Sequence, residues 1–350
     1  MKKILTVAVP AYNAEKYLKD NLESFCIDGI LPYLDILVIN DGSSDHTAAI
    51  AQEYVERYPD SYRMITKENG GHGSGINLGI REARGIYFKV VDADDWVERI
   101  AFCRLIETLK EQTEKAAAGT EESADIVYSG FLWAYDHGEP DKSMYQTKAE
   151  ISEPFKDVAY RKIYTFDNIA DQLYIKMHSL TIKTEILQKH KIAVDEKCYY
   201  VDTEYITYPI PYIKTIYFID AFVYYYRIGH AGQSVGIEKL QKNEKDYDKV
   251  IRSLLDFYEK LGKEIPCSEQ KKSYIAGIIA RAVAGKYKIM LSVPASEEVK
   301  KKMVEFDREL KLHHPDIYRA NINPAVRLMR ATGYTTYGIA GALVKKKYQE

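Results

Sequence analysis

The stretch GIYFKVVDADDW, residues Gly85 to Trp96, runs from an apolar, strand-prone segment into three carboxylates, Asp92, Asp94 and Asp95, within four positions. Like charges this close repel one another unless something positive compensates them. In extended chain, residues two apart project to the same side, so Asp92 and Asp94 converge on one point while Asp95 turns away. An acid pair of this kind suits a hard divalent cation, Mn²⁺ or Mg²⁺, which takes oxygen ligands and keeps positions open for substrate phosphates. The competing reading is a solvated acidic turn in which Asp94 or Asp95 caps the helix beginning near Val97.

Working outward, short apolar runs alternate with amphipathic segments. ILTVAVP is followed by 14–25, DILVIND by 44–58, YRMIT by 74–83, and IYFKVVD by 98–112. Strand runs that are apolar throughout, each followed by a helical period, predict an α/β fold: a mainly parallel sheet flanked by helices. ADIVYSGFLWAY reads as a further strand, and KTIYFIDAFVYYYRI as two edge strands with a tight connection. From about residue 237 the pattern turns to long helices broken at PASEE and NINPA, predicting an α/β domain over 1–235 and a helical region over 236–350. In such sheets ligands bind beyond the carboxyl ends of the strands, where Asp41 and Asp92 both fall.

Composition excludes several classes. With 350 residues, 46% hydrophobic, 29% charged and a net charge of −2, the chain has material for a substantial core and reads as neither disordered nor membrane-spanning. Ile4–Val9 is shorter than the apolar stretch of about 7–15 residues in a signal peptide, so it reads as a first strand. The four cysteines are far apart with no CxxC or metal-ligand spacing; four buried thiols in a reducing cytoplasm are expected.

Immediately upstream, ENGGHGSGINLGI imitates a dinucleotide-binding fingerprint: Gly71, Gly73, Gly75 and Gly79 follow a strand and open a helix. The spacing departs from that pattern, the unit stands third in the sheet, and one ribose-binding acid leaves three carboxylates unexplained. A nicotinamide-binding protein therefore stays an alternative. The plainer reading is a tight turn where backbone comes close to a ligand.

Taken in order, TVAVPAYNAEKYL, ILVINDGSSDHTAAIAQEY, NGGHGSGINLGIREARGIYFKVVDADDW, YYVDTEY and YYYRIGHAGQS resemble the inverting, nucleotide-sugar-dependent glycosyltransferases of family 2, bacterial polysaccharide type, over residues 1 to about 230. The resemblance implies a GT-A fold and a hexosyltransferase-type activity with a UDP-sugar as the expected donor and a glycan or lipid-linked acceptor. It implies that Pro10, Tyr12 and Asp41 line the nucleoside pocket, that Asp41 accepts from the base, and that Gly71 and Asn77 belong to the donor site. Asp92 and Asp94 become the metal pair, Asp92 also meeting the nucleotide sugar, and Asp202 the catalytic base. Two positions depart from the family pattern: Ile76 stands where an Arg usually precedes the Asn, and Val201 where a Glu usually precedes the base.

The chemistry accounts for the residue types. A metal on the diphosphate offsets charge developing on the leaving oxygen, and one carboxylate suffices to deprotonate the acceptor for a single, inverting displacement. His230 is a candidate third metal ligand and Arg227 a bidentate diphosphate donor. Glu204 competes with Asp202 as base, and Asp202 has an alternative reading as a helix cap. A carbohydrate-binding protein without turnover is the rival class, which a separate base argues against. Residues 300–350 hold eleven Lys/Arg and five Asp/Glu, a net +6 that leaves −8 for the remainder. With its apolar positions, AVRLMRATGYTTYGIAGALVKKK fits a peripheral helix on the anionic inner membrane face, or equally a solvated basic face packed on the first domain; no groove motif suggests nucleic acid.

Overall fold

The computed structural model describes residues 2–120, 122–135, 146–149, 158–229 and 237–349, with side chains described outside 146–149 and 347–349. The chain divides into two compact units, Met1–Ala231 and Gly232–Glu350, beside the division expected at 235.

The first unit is built on a ten-stranded sheet. Its strands are β1 (Leu5–Ala11), β2 (Leu34–Asn40), β3 (Tyr62–Thr66), β4 (Tyr87–Val90), β5 (Trp96–Val97), β6 (Ile126–Tyr135), β7 (Gln146–Ala149), β8 (Ile163–Thr165), β9 (Leu180–Lys183) and β10 (Thr215–Ile228). The path across it is β3-β2-β1-β4-β9-β6-β10-β5, with β7 on β6 and β8 on β10. The β3-β2-β1-β4 block and the β6–β10 pair are parallel; the pairings of β9, β5, β8 and β7 are antiparallel. The sheet is thus mixed, where a mainly parallel one was expected. Four strands of two to four residues are too short to show a period, so sequence pattern does not reveal them.

Every residue of β1 and β2 is buried, as their unbroken apolar runs require of strands covered on both faces. Because β1 lies between β2 and β4, strand order reverses beside it, and the crevice opens where Ala11 leads to Tyr12 and Val90 leads to Asp92.

The flanking helices are α1 (Leu18–Ser24), α2 (Thr47–Arg57), α3 (His72–Glu82), α4 (Arg99–Ala117), α5 (Thr184–Lys189) and α6 (Asp202–Thr207). Helix α4 starts where the Glu98 carboxylate accepts from the Ala101 amide at 2.6 Å. Its helical-period set Phe102, Leu105, Ile106 and Leu109 is fully buried, each side chain contributing about 1.5–3 kcal/mol. Helix α3 lies so close on β1 that a Cβ at Gly75 would stand 2.8 Å from Pro10 Cβ, and one at Gly79 2.8 Å from Ala8 Cβ.

The segment read as two edge strands is the single fourteen-residue β10, paired with β6 throughout but with register shifts at Phe218/Phe222 and Phe222/Tyr224. Those irregularities bend one strand where the sequence suggests a connection. The cysteines are free; where four buried thiols were expected, Cys198 is buried and Cys26, Cys103 and Cys267 are half-buried.

The second unit is helical: α7 (Ile237–Lys242), α8 (Glu244–Lys260), α9 (Glu269–Ser292), α10 (Glu297–His313), α11 (Pro315–Ala320), α12 (Pro324–Ala331) and α13 (Tyr337–Gln349). The two sequence breaks are helix caps: Ser296 accepts from the Val299 amide, and Asn323 from the Ala325 and Val326 amides. Asp307 on α10 accepts from Arg330 on α12 at 2.7 Å and from the Tyr287 hydroxyl on α9 at 2.5 Å. Among the described residues no helix is long and apolar enough to cross a membrane.

Removing one member of a buried ion pair strands the other charge, so Asp307→Ala should destabilise the protein by about 3–5 kcal/mol in urea denaturation. A loss below about 1 kcal/mol would show that the pair contributes no more than an exposed one.

Candidate active site

The acidic turn is held from beneath. Asn21 on α1 donates its side-chain amide to the carbonyls of Asp92 and Asp95, both at 2.9 Å. The buried Asp95 carboxylate accepts from the Tyr224 hydroxyl at 2.5 Å and from the Arg227 amide at 2.7 Å, both on β10. The same hydroxyl accepts from the Asp92 amide at 3.2 Å. Burial, with Asp94 and Asp92 close by, pushes the Asp95 carboxyl well above its ordinary range. Asp95 is thus an anchor turned into the protein, while Asp92 and Asp94 keep partial access to solvent.

The glycine loop is pinned on two sides. Asp41 Oδ1 accepts from Lys67 Nζ at 2.6 Å and the Gly70 amide at 2.9 Å, and Oδ2 from the Gly71 amide at 2.8 Å. Gly71 sits at φ +80°, a conformation that favours glycine, and a Cβ on Gly73 would lie 2.0 Å from the Asp195 carbonyl oxygen. These contacts account for the glycines without a dinucleotide.

From this pinned turn His72, which the sequence reading passed over, sets Nε2 2.8 Å from Asp92 Oδ1. Burial opposes charge on His72, but Asp92, Asp202 and Asp94 together raise its pKa. Burial alone would raise Asp92; the adjacent His72 outweighs it and holds the carboxyl below its usual range.

Asp202 is the first residue of α6, after Val201 at the N-cap, so it is not the cap itself. Its side chain reaches solvent, yet protein crowds it closely enough that burial pushes its pKa up to about 6; His72 and the Thr203 amide pull it down and Asp92 pulls it up. Glu204 is fully buried and accepts from the Asp195 amide at 2.7 Å, so it faces the chain and not the cleft.

Three residues expected at the donor site make contacts within the protein. The Asn77 side chain donates to the Val194 carbonyl at 2.9 Å and to Glu196 Oε1 at 3.1 Å, and accepts from the Val194 amide at 2.9 Å. Both its donor hydrogens and its oxygen dock the 194–196 segment. Arg227, 4% exposed, donates Nε to the Asp94 carbonyl at 2.8 Å, its guanidinium 4.7 Å from the ring centres of both Tyr17 and Trp96. It braces the acidic turn through that bond. Asp41 is likewise buried and occupied with the glycine loop. Pro10 is buried under Gly75, whereas Tyr12 is 56% exposed beyond β1. His230 lies outside the described residues.

A second histidine, which the sequence reading left out of the site because only its position after a helix favoured it, is His178. Its ring lies 4.9 Å from Phe131, 4.8 Å from Tyr224 and 4.4 Å from Tyr226, centre to centre. Burial pushes its pKa down to about 3, keeping it neutral, and its Nδ1 is buried with no hydrogen-bond partner. The buried Lys89, brought down to about 7 by burial, donates to the His178 carbonyl at 2.7 Å and steadies that segment. Among the described residues Asp92, Asp95 and His178 bring one donor atom each within 4.8 Å of one another. Oxygen donors with one neutral imidazole fit Mn²⁺ or Mg²⁺.

The family model Glycosyl transferase family 2 matches residues 6–166. Over 166 residues the chain is 32% identical to the uncharacterized glycosyltransferase EpsJ of Bacillus subtilis, covering 45% of this chain and 44% of that protein. Over 228 residues it is 26% identical to the putative glycosyltransferase EpsH of the same organism, covering 64% and 60%. The chain thus spans roughly half the length of these curated relatives. Its fold is similar to S. aureus TarS 1-349 in complex with UDP-GlcNAc, with a TM-score of 0.64 and 15% identity over 99% of this chain and 91% of that one. The mannosyltransferase PcManGT of Pyrobaculum calidifontis, in complex with GDP-Man and Mn²⁺, is similar at a TM-score of 0.50 and 16% identity over 100% and 89%.

Tyr224→Phe leaves Asp95 Oδ2 and the Asp92 amide without their shared partner, so stability should fall by about 1–3 kcal/mol in thermal or chemical unfolding. An unchanged midpoint would mean that the hydroxyl does not anchor the turn.

Proposed function

With residues 6–166 assigned to glycosyl transferase family 2, we infer that this protein is an inverting glycosyltransferase that moves a sugar from a UDP-sugar to a hydroxyl of a glycan or lipid-linked acceptor. The observation that carries the reading is the meeting of Asp202 with Asp92 and His72 in one cleft although about 110 residues separate Asp92 from Asp202. Asp202 takes the acceptor proton as the hydroxyl attacks the anomeric carbon from the face opposite the diphosphate. A pKa raised to about 6 suits a base that must be ionised near neutrality yet retain affinity for a proton. Asp92 and Asp94 would hold Mn²⁺ or Mg²⁺ as the acid pair, and His178, whose ring nitrogen lies near Asp92, would offer a nitrogen donor. When bound, the ion offsets the charge that develops on the departing diphosphate. Asp95, Arg227, Tyr224 and Asn21 fix where those acids point, so little reorganisation accompanies the reaction. Tyr12, the exposed aromatic at the mouth of the crevice, is placed to stack on the nucleoside base.

The partner surface proposed for α13 is an anionic membrane face. The helix turns Ile339, Ala342 and Leu343 outward beside Lys346, an apolar strip next to positive charge. Vesicles containing anionic lipid should retain more protein than neutral ones at low salt, the difference vanishing at high salt. Equal retention on both would remove the membrane from the reading.

Asp202→Asn should leave folding and UDP-sugar binding unchanged and lower transfer by about 10²–10⁴-fold. Asp94→Asn should instead lose metal-dependent UDP binding in calorimetry. A folded Asp202→Asn protein with near-normal transfer would displace the base assignment. A wild-type protein that binds UDP-sugar yet neither transfers nor hydrolyses it with Mn²⁺ would favour a binding protein.

The base acts only when deprotonated, so kcat/KM should fall about tenfold per unit as pH drops below about 6 and level off above it. A raised carboxyl pKa means that the folded state holds its proton more tightly than the unfolded chain. The stability this supplies is present in acid and disappears as pH rises through about 6. A rate profile flat from pH 4.5 to 8 would contradict the assignment.

A further inference from the structure

We propose that His72 is the positioning residue for cation binding: it grips one oxygen of Asp92 so that the carboxylate presents its other oxygen to the cleft. The inference rests on the reading of Asp92 as a metal ligand. Its warrant is the construction of the 70–74 turn. The Gly70 and Gly71 amides are fixed on Asp41, the Gly70 carbonyl accepts from the Lys197 amide at 2.6 Å, and Gly73 is wedged beneath the Asp195 carbonyl. Ser74 is engaged with the Gly71 carbonyl at 2.8 Å. The backbone at His72 is therefore set from both sides, and of this turn's side chains it is His72 that reaches Asp92. An ionised carboxylate only accepts, so Nε2 carries the proton in the 2.8 Å contact. The Asp92 backbone is already fixed through Asn21 and Tyr224, which leaves the carboxylate rotation as the freedom His72 removes. Ligating carboxylates are generally steadied by such outer partners, whose loss weakens metal binding by about 10–100-fold.

The test is Mn²⁺ binding without nucleotide, followed by electron paramagnetic resonance, in the wild type, His72→Ala, His72→Gln and Asp92→Asn. His72→Ala should weaken Mn²⁺ by about 10–100-fold with an unchanged melting temperature. His72→Gln, whose amide can still donate, should recover part of the loss. Unchanged or tighter Mn²⁺ binding in either folded His72 variant overturns the proposal, the tighter case showing that His72 competes with the ion. Asp92→Asn separates the two readings: if it keeps wild-type affinity, the metal assignment itself fails. Wild-type protein with ¹⁵N-labelled histidine gives a reading without relying on the variants' folding. Mg²⁺ should shift an imidazole whose Nε2 retains its proton, and loss of that proton would make the residue a direct ligand and overturn the proposal.

Discussion

A carboxylate buried beside two others is the constraint around which the site is arranged. Asp95 cannot face the cleft with Asp92 and Asp94 without adding to their repulsion. It turns inward instead, where the Tyr224 hydroxyl and the Arg227 amide satisfy it. That inversion ties the turn to β10, which also pairs with β5, and leaves Asp92 and Asp94 with partial access to solvent. Arg227 closes the arrangement by donating to the Asp94 carbonyl while its guanidinium lies near two aromatic rings. A long cation near the site thus serves as a brace, tying the turn to β10.

The glycine loop shows the same economy. Asp41 ends β2 as an acid at a strand's carboxyl end, the position from which a ligand contact is expected, yet its oxygens collect the amides of Gly70 and Gly71 and the Lys67 ammonium. Asn77, one turn into α3, docks the segment that leads to Asp202. A strand-end acid and a helix asparagine therefore act through geometry: the first shapes the loop carrying His72, the second anchors the chain preceding Asp202. With Glu204 bonded to the Asp195 amide, Asp202 is left as the acid of α6 with access to the cleft.

The sequence by itself determined the succession of apolar strands and amphipathic helices, the acid-ended β2 and β4, and the helix caps at Ser296 and Asn323. These depend on local properties: a period of two or 3.6, a side chain that reaches its own backbone, an apolar run with covered faces. The family pattern also lay in short ordered stretches, which is why the resemblance, and with it the expected roles of Asp92, Asp94 and Asp202, could be read from the sequence. The antiparallel strands β5, β7, β8 and β9 stayed hidden because two to four residues carry no measurable period. Tertiary structure alone decided which polar groups are spent inside the protein and which face the cleft. Asp95 finds Tyr224 129 residues away, and Asn77 finds Val194 at a distance of 117. His72 and His178 acquire their meaning only when folding sets one against Asp92 and encloses the other among Phe131, Tyr224 and Tyr226. A side chain's hydrogen-bonding capacity is written in its identity, but the partner that uses it is fixed by packing between distant segments, which no local pattern encodes.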